Sequence, residues 1–316
     1  MTGELREAIL KGSRRAAARL MRLIDDDAPQ ARATLTALMP YAGDAYILGV
    51  TGNPGSGKST LVSRLIARFR ERGDTVGCIA IDPTSPFSGG AILGDRVRMQ
   101  EHAEDDGVFI RSVATRGSLG GLSRSTPAMV QVLDAMGFDT VIVETVGVGQ
   151  DEVEIIRLAD TSLVTLVPGL GDDIQADKAG LMEIADVFVL NKSDLPGSQH
   201  LKRRIQTMLS LHQNTDAARS AAPAIVATSA TSGDGIDELF AEVEIHRRSV
   251  EKDQSRQTRL QKRHTHLIRA IARSELEARF DEHVRSDRFS QLVDDLAAGQ
   301  IDPYKAASQL LSWLAE

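Results

Sequence analysis

The strongest constraint on the fold is the run Gly52-Asn53-Pro54-Gly55-Ser56-Gly57-Lys58-Ser59. It fits G-x-x-x-x-G-K-[ST], a phosphate-binding P-loop. Before it stands Tyr46-Ile47-Leu48-Gly49-Val50, a short apolar run readable as a buried strand. After it comes Thr60-Leu61-Val62-Ser63-Arg64-Leu65-Ile66-Ala67-Arg68-Phe69, apolar at helical spacing. Strand, glycine-rich turn and helix are the setting that this chemistry needs. Glycine lets backbone N–H groups curl around phosphate oxygens without side-chain clash. The helix N-terminus adds the positive end of its dipole. The nucleotide cradle is expected to comprise Gly52, Asn53, Pro54, Gly55, Ser56, Gly57, Lys58, Ser59 and Thr60. Lys58 is expected to reach the β- and γ-phosphates, and the Ser59 hydroxyl to bind Mg²⁺.

From Tyr46 onward, apolar runs alternate with helical stretches. Further strands are expected over Thr75 to Ile81, Val108 to Val113, Asp139 to Glu144, Ser162 to Val167, Val187 to Leu190 and Ala224 to Ala227. Helices are expected between them, for instance Ser125 to Met136 and Leu201 to Leu211. This alternation predicts an α/β fold with a mostly parallel central sheet covered on both faces. Ligands of such sheets gather at the carboxyl ends of the strands. Ahead of the sheet, Leu5, Ile9, Ala16, Leu20, Leu23, Leu35 and Leu38 predict two or three helices on the edge of the main domain. Beyond Ile245 the sheet pattern stops. Leu260, Leu267, Ile271, Leu276 and Phe280 then form a thin apolar stripe in a charged stretch. Asp302-Pro303 opens a last helix with Leu310, Leu311, Trp313 and Leu314, and proline suits its first position. The expected divisions are an N-terminal helical extension (1–44), a P-loop domain (45–248) and a C-terminal helical arm (249–316). So thin a stripe predicts that the arm packs against something else, a second copy being one option. The basic stretch Arg247 to Arg273 reads as a solvated helix face rather than a nucleic-acid site.

Four motifs fall at expected strand ends. Asp82 closes the second strand and is a candidate for holding Mg²⁺ or its waters. The loop after it, Thr84 to Asp95, carries Gly89, Gly90 and Gly94 and reads as a switch. Asp95 is a second candidate near the metal, with a solvated helix cap as the plainer alternative. Glu144-Thr145-Val146-Gly147 puts E-x-x-G where common small GTPases carry D-x-x-G. Glu144 is expected to bind Mg²⁺ through water or to polarise the attacking water. The Gly147 N–H would touch the γ-phosphate, so that Val148-Gly149-Gln150 senses its loss. Asn191-Lys192-Ser193-Asp194 is the N-K-x-D pattern of guanine recognition. Asp194 accepts from guanine N1–H and the 2-amino group, a donor pair that adenine lacks. Lys192 lays its stem over the base, while Asn191 bonds the ring edge and ties loops together. Ser229-Ala230-Thr231 is expected to present its backbone to the guanine carbonyl. A further loop, Pro168 to Lys178, has no counterpart in a minimal GTPase. It reads as a solvated connection or as a mobile element that carries Lys178 toward the phosphates.

Composition narrows the remaining choices. A net charge of −7 gives no global attraction to nucleic acid or to anionic lipid. The single cysteine, Cys78, excludes an internal disulfide framework and a C-x-x-C metal site, and fits a reducing compartment. No apolar run approaches a membrane span, and Met1 to Arg22 lacks the apolar core of a secretory signal. A cytoplasmic protein without membrane or nucleic-acid partners is expected.

Taken together, GNPGSGKST, IAIDPTSPFSGGAILGDRVRM, ETVGVGQDE, PGLGDDIQADKAGLMEIAD and NKSD resemble the MeaB/MMAA (ArgK-type) family of P-loop GTPases. The likeness runs from about Leu5 to DPYKAASQLL. It implies GTP/GDP and Mg²⁺ as ligands and a homodimer built through the C-terminal arm. It also implies a chaperone that gates adenosylcobalamin loading into a cobalamin-dependent acyl-CoA mutase of the methylmalonyl-CoA mutase type, and that protects or reactivates that enzyme. By matching position, Lys58 and Ser59 hold phosphate and Mg²⁺, and Asp82, Asp95 and Glu144 form the acidic metal neighbourhood. Asn191, Lys192, Asp194 and Ser229 to Thr231 hold the base, and Gly171 to Lys178 is the family's extra switch. Two other readings stand beside this one. A GTPase metallochaperone would show Cys or His pairs, and here His264 and His266 are the one close pair, on different sides of a helix. A kinase acting on a transport protein would use ATP, against the guanine motif.

Overall fold

The computed structural model describes residues 2–82, 100–102, 104–114, 125–145, 147, 155, 158–169, 185–213, 222–253 and 256–314. Among these residues, seven strands form one parallel sheet: β1 Tyr46–Gly52, β2 Val76–Asp82, β3 Val108–Ala114, β4 Thr140–Glu144, β5 Thr161–Leu166, β6 Val187–Leu190 and β7 Ala224–Ala227. Their order is β3-β2-β4-β1-β5-β6-β7. Every residue of β1, β2, β4 and β6 is buried, as continuous apolar runs require when both faces are covered. β6 and β7 span the expected residues; β1 runs two residues beyond expectation, and β2 to β5 differ by a residue at one or both ends.

The register decides where function can sit. Val50 of β1 lies opposite Glu144 of β4, and Ala80 of β2 lies opposite the same glutamate. Asp82 therefore ends its strand two residues beyond the Glu144 level. Gly52 lies opposite Thr165 on the other side of β1. The P-loop, Asp82, Glu144 and the segment after β6 thus meet along one edge of the sheet.

Helices α1 (Thr2–Leu10), α2 (Arg14–Asp25) and α3 (Pro29–Leu38) precede the sheet. They are not an edge decoration, as their spacing alone suggested. Ile9, Leu20, Met21 and Leu38 are fully buried in one cluster with Ile47, Ile79, Val141 and Val143 of the central strands. Helix α5 (Thr126–Ala135) joins them there through Met129 and Leu133. On the opposite face, α4 (Lys58–Glu71) and α7 (Ile236–Asp253) bury Leu61, Leu65, Phe69, Leu239 and Val243 against Leu48, Val50 and Ile142. Helix α6 (Ser198–Gln213) covers Phe188 and Leu190 of β6 with Ile205 and Leu209. At roughly 1.5–3 kcal/mol for each fully buried large apolar side chain, these clusters dominate the stability of the sheet unit.

The chain forms two compact units, Met1–Arg263 and His264–Glu316. Helix α8 (Arg256–Val284) passes from one to the other. Within the second unit, Leu292 of α9 (Asp287–Ala297) and Leu310 and Trp313 of α10 (Pro303–Trp313) close a small core. The Arg288 guanidinium lies 4.3 Å over the Trp313 ring. That core is built from residues beyond the thin stripe, whose Ile271, Leu276 and Phe280 remain exposed, as does Ile268. The Asp302 carboxylate caps α10 by accepting from Tyr304 N and Lys305 N. Arg247 corrects the reading of a solvated basic face. Its guanidinium lies 4.8 Å over the Tyr46 ring and pairs with Asp74, Glu244 and Glu251. Among the described residues, no helix is long and apolar enough to cross a membrane.

Candidate nucleotide site

The loop between β1 and α4 is shaped by its sequence. Gly57 caps α4 with φ 87°, and a Cβ there would stand 2.4 Å from Asn191 Nδ2. That left-handed conformation and close approach both require glycine. Ser56 is fully buried, and its Oγ has no hydrogen-bond partner among the described residues. A buried hydroxyl in that state is costly unless a ligand oxygen engages it, so the loop fits a phosphate. Lys58 is 6% exposed, and its Nζ donates to Gly52 O at 2.8 Å and Asn53 O at 3.1 Å. The ammonium is thereby parked on its own loop, facing the space a phosphate would fill.

Ser59 Oγ donates to Glu144 Oε1 at 2.7 Å. Glu144 is 3% exposed at the end of β4, and Asp82 is 5% exposed at the end of β2. Gly147, three residues beyond Glu144, has φ 86°. A Cβ there would lie 1.6 Å from Gly52 O and 3.0 Å from Lys58 Nζ. The E-x-x-G segment therefore touches the P-loop directly, and no larger residue fits. Hydroxyl and carboxylate oxygens are the donor type that Mg²⁺ takes, with waters and phosphate completing six positions. Among the described residues, no group of three or more His, Cys, Asp and Glu side chains is arranged to hold a metal. Ser59, Glu144 and Asp82 thus fit an ion that shares its shell with nucleotide, not a free-standing metal centre.

The base side is built from the ends of β6 and β7. Asn191, 2% exposed, makes three connections. Its Nδ2 donates to Ser56 O at 2.8 Å, while its Oδ1 accepts from Thr228 Oγ1 at 3.2 Å and Ala230 N at 3.0 Å. One side chain joins the phosphate loop to the Ser229-Ala230-Thr231 loop. Lys192 follows with φ 56°, a left-handed conformation uncommon for lysine. Ser193 N donates to Thr228 O at 2.9 Å, and Leu195 N to Lys192 O at 3.0 Å, which closes the turn. Asp194 is exposed on that turn. The second loop is closed by Ser229 N donating to Asp234 O at 2.9 Å and Gly233 N to Ser229 O at 2.8 Å.

The structure thus brings Gly52 to Thr60, Asp82, Glu144, Gly147, Asn191 to Asp194 and Ser229 to Thr231 to the carboxyl ends of the strands. Asp95, Gln150 and Lys178 lie outside the described residues. Motif reading missed several contacts. Thr51 Oγ1 and Thr145 Oγ1 meet at 2.8 Å behind the phosphate loop. His102 Nε2 lies 3.0 Å from Ser63 Oγ on α4. Arg64 bonds the backbone of Ala230 and Thr231. No spacing rule marks such pairs, because their partners are far apart in sequence.

The comparisons with known proteins agree with this geometry. The family model for methylmalonyl-CoA mutase-associated GTPase MeaB matches residues 17–285. A putative GTPase of Pyrococcus abyssi is 46% identical over 311 residues, covering 98% of this chain and 96% of the relative. GTPase ArgK of Escherichia coli is 40% identical over 237 residues, covering 73% and 71%. The mouse methylmalonic aciduria type A homolog is 35% identical over 199 residues, covering 62% and 47%. The crystal structure of an LAO/AO transport system kinase covers 100% of this chain with a TM-score of 0.69 at 25% identity. A P-loop on a parallel sheet, the guanine-type turn after β6 and a family match over most of the chain converge: this chain belongs to the MeaB family of P-loop GTPases, and it binds and hydrolyses GTP.

Proposed function

We propose that this GTPase serves a cobalamin-dependent acyl-CoA mutase as a nucleotide-controlled chaperone, gating adenosylcobalamin loading and protecting or reactivating the enzyme. The observation that carries this reading is the match of residues 17–285 to a family described as methylmalonyl-CoA mutase-associated. In hydrolysis, water attacks the γ-phosphorus, and the bond to the β–γ bridging oxygen breaks to give GDP and phosphate. Lys58 leaves the Gly52 and Asn53 carbonyls to bond β- and γ-phosphate oxygens. Glu144 releases the Ser59 hydroxyl and orients the attacking water. Ser59, Asp82 and Glu144, with Asp95, would hold Mg²⁺, whose charge offsets that developing on the phosphate oxygens. Gly147, packed against Gly52, is placed to feel the γ-phosphate and pass its loss to the segment that follows. Asp194 and Lys192 take the base edge and face, and Ser229 to Thr231 its carbonyl. The Gly171-to-Lys178 loop supplies further positive charge when a partner orders it. The C-terminal arm pairs two copies of the chain.

The test is steady-state GTP hydrolysis with and without each cobalamin-dependent acyl-CoA mutase of the same organism. One of them should accelerate turnover by about tenfold or more, equivalent to at least ~1.4 kcal/mol of barrier. Lys178→Ala should blunt that acceleration. The absence of stimulation by any of these mutases would refute the chaperone reading.

A further inference from the structure

We infer that Arg64 is a positioning residue for guanine recognition, fixing the Ala230-Thr231 backbone from the helix that binds the phosphates. The inference rests on reading Ser229 to Thr231 as the loop that meets the guanine carbonyl. Arg64 lies on α4, six residues after Lys58. Its Nε donates to Ala230 O at 3.1 Å and its Nη2 to Thr231 O at 3.2 Å. The planar guanidinium holds two successive carbonyls at once, a fork that lysine cannot reproduce. Because a trans peptide turns its N–H opposite its C=O, fixing both carbonyls also fixes the following N–H groups, Thr231 and Ser232. On its other side the same loop is held by Asn191, through Ala230 N. The base loop is therefore braced against the phosphate helix by Arg64 and against the phosphate loop by Asn191.

Arg64 also begins a row. Arg68 pairs with Asp237 at 2.7 Å and with Glu71 at 2.7 Å. Arg72 pairs with Glu244. At i and i+4 Arg64 and Arg68 share one face of α4, and Arg72, its C-cap residue, continues the row at i+8. Arg68 and Arg72 fasten that face to α7, whereas Arg64 alone of the three reaches the base loop. Stapling of two elements would explain Arg68 and Arg72. Arg64 differs in that its acceptors are the backbone that reads the base.

The experiment measures affinities of the full chain for GDP, IDP and ADP by competition against a fluorescent GDP analogue. IDP keeps the ring carbonyl of guanine and lacks its 2-amino group. Arg64→Ala should weaken GDP and IDP together by about tenfold, as expected when two hydrogen bonds that order a recognition loop are lost. ADP, held by its phosphates, should be unchanged, so the GDP-to-ADP preference falls by the same factor. Arg64→Lys should be intermediate, and it carries the same reading if Arg64→Ala does not fold. Arg68→Ala should match wild type for all three ligands. Unchanged GDP binding in Arg64→Ala would overturn the inference. So would an equal loss of GDP and ADP, which would mark Arg64 as a plain staple. If wild type already binds ADP as tightly as GDP, the guanine reading fails first and this inference fails with it. That outcome is read on the unmutated chain and is distinct from the other two.

Discussion

The two ends of the sheet hold their buried polar groups in different ways. At the amino ends of the strands, a buried network of carboxylate, guanidinium and hydroxyl groups is tied together by the protein itself. Asp134 is 6% exposed, and its carboxylate accepts from Gly43 N at 2.6 Å, Ala45 N at 2.9 Å and Asp44 N at 3.1 Å. Arg263 stands 3.6 Å from it and also bonds Asp160 and Ala45 O. Burial pushes the Asp134 carboxyl upward, against the pull of those N–H groups and of Arg263. Tyr46 OH donates to Thr161 Oγ1, which meets His246 Nδ1 at 2.7 Å. At the carboxyl ends, the partners are provisional. Lys58 rests on its own loop carbonyls, Ser59 on Glu144, and Ser56 Oγ meets no partner among the described residues. The lesson is that buried polarity is structural where every bond is already made by the fold, and functional where the bonds are ones a ligand can take over.

Mutations should separate the two ends. Lys58→Ala should lower GTP turnover by at least about 10²–10³-fold, since it removes a charged donor aimed at the reacting phosphate. Steady-state phosphate release measures this. Asp134→Ala should cost about 3 kcal/mol of stability, because it leaves the Gly43, Asp44 and Ala45 N–H groups without their acceptor and removes one of the two carboxylates beside Arg263. Chemical denaturation reads that loss, and turnover per folded molecule should stay near wild type. Asp194→Asn should weaken GTP binding by about 1–3 kcal/mol with little effect on the denaturation midpoint, since Asp194 is exposed until a base covers it. Titration calorimetry checks it. The smallest effect should come from a surface pair near the amino end of β3. The Arg70 guanidinium, together with Gly107 N–H, holds the Asp105 carboxyl below its usual range. A carboxyl so lowered contributes stability above its ordinary value, and that contribution is lost as pH falls through the depressed one. Asp105→Asn should therefore remove less than about 1 kcal/mol near neutrality, and its difference from wild type should vanish in acid. Denaturation midpoints across the acid range measure that trend.

How much was legible in the sequence follows the same division. The phosphate and base motifs were readable because their chemistry needs contiguous residues: Gly52 to Ser59 for a cradle, Asn191 to Asp194 for a turn. The strands were readable because burial on both faces leaves unbroken apolar runs. The amino-end network was not. Asp134, Asp160 and Arg263 are far apart along the chain, and each by itself looks like a charge on a helix or loop. Arg247 is hidden for the same reason, since a basic stretch gives no sign that one guanidinium covers Tyr46. Spacing tells which side of α1 to α3 is apolar, not which surface that side meets, so their place on the sheet face has no sequence signal. Arg64 sat in plain view within the helix after the P-loop, and its backbone acceptors 166 and 167 residues away have no sequence signature.

The most direct measurement of the difference between the two ends is the thermal shift produced by GDP in wild type, Lys58→Ala and Asp134→Ala. A ligand that binds only the folded state at about 100 times its Kd adds about 2.7 kcal/mol, several degrees for a unit of this size. Asp134→Ala should melt well below wild type and keep the full GDP shift. Lys58→Ala should lose less intrinsic stability than Asp134→Ala and show little or no GDP shift. A full shift in Lys58→Ala, or a lost shift in folded Asp134→Ala, would contradict the assignment of the carboxyl ends to nucleotide and the amino ends to structure.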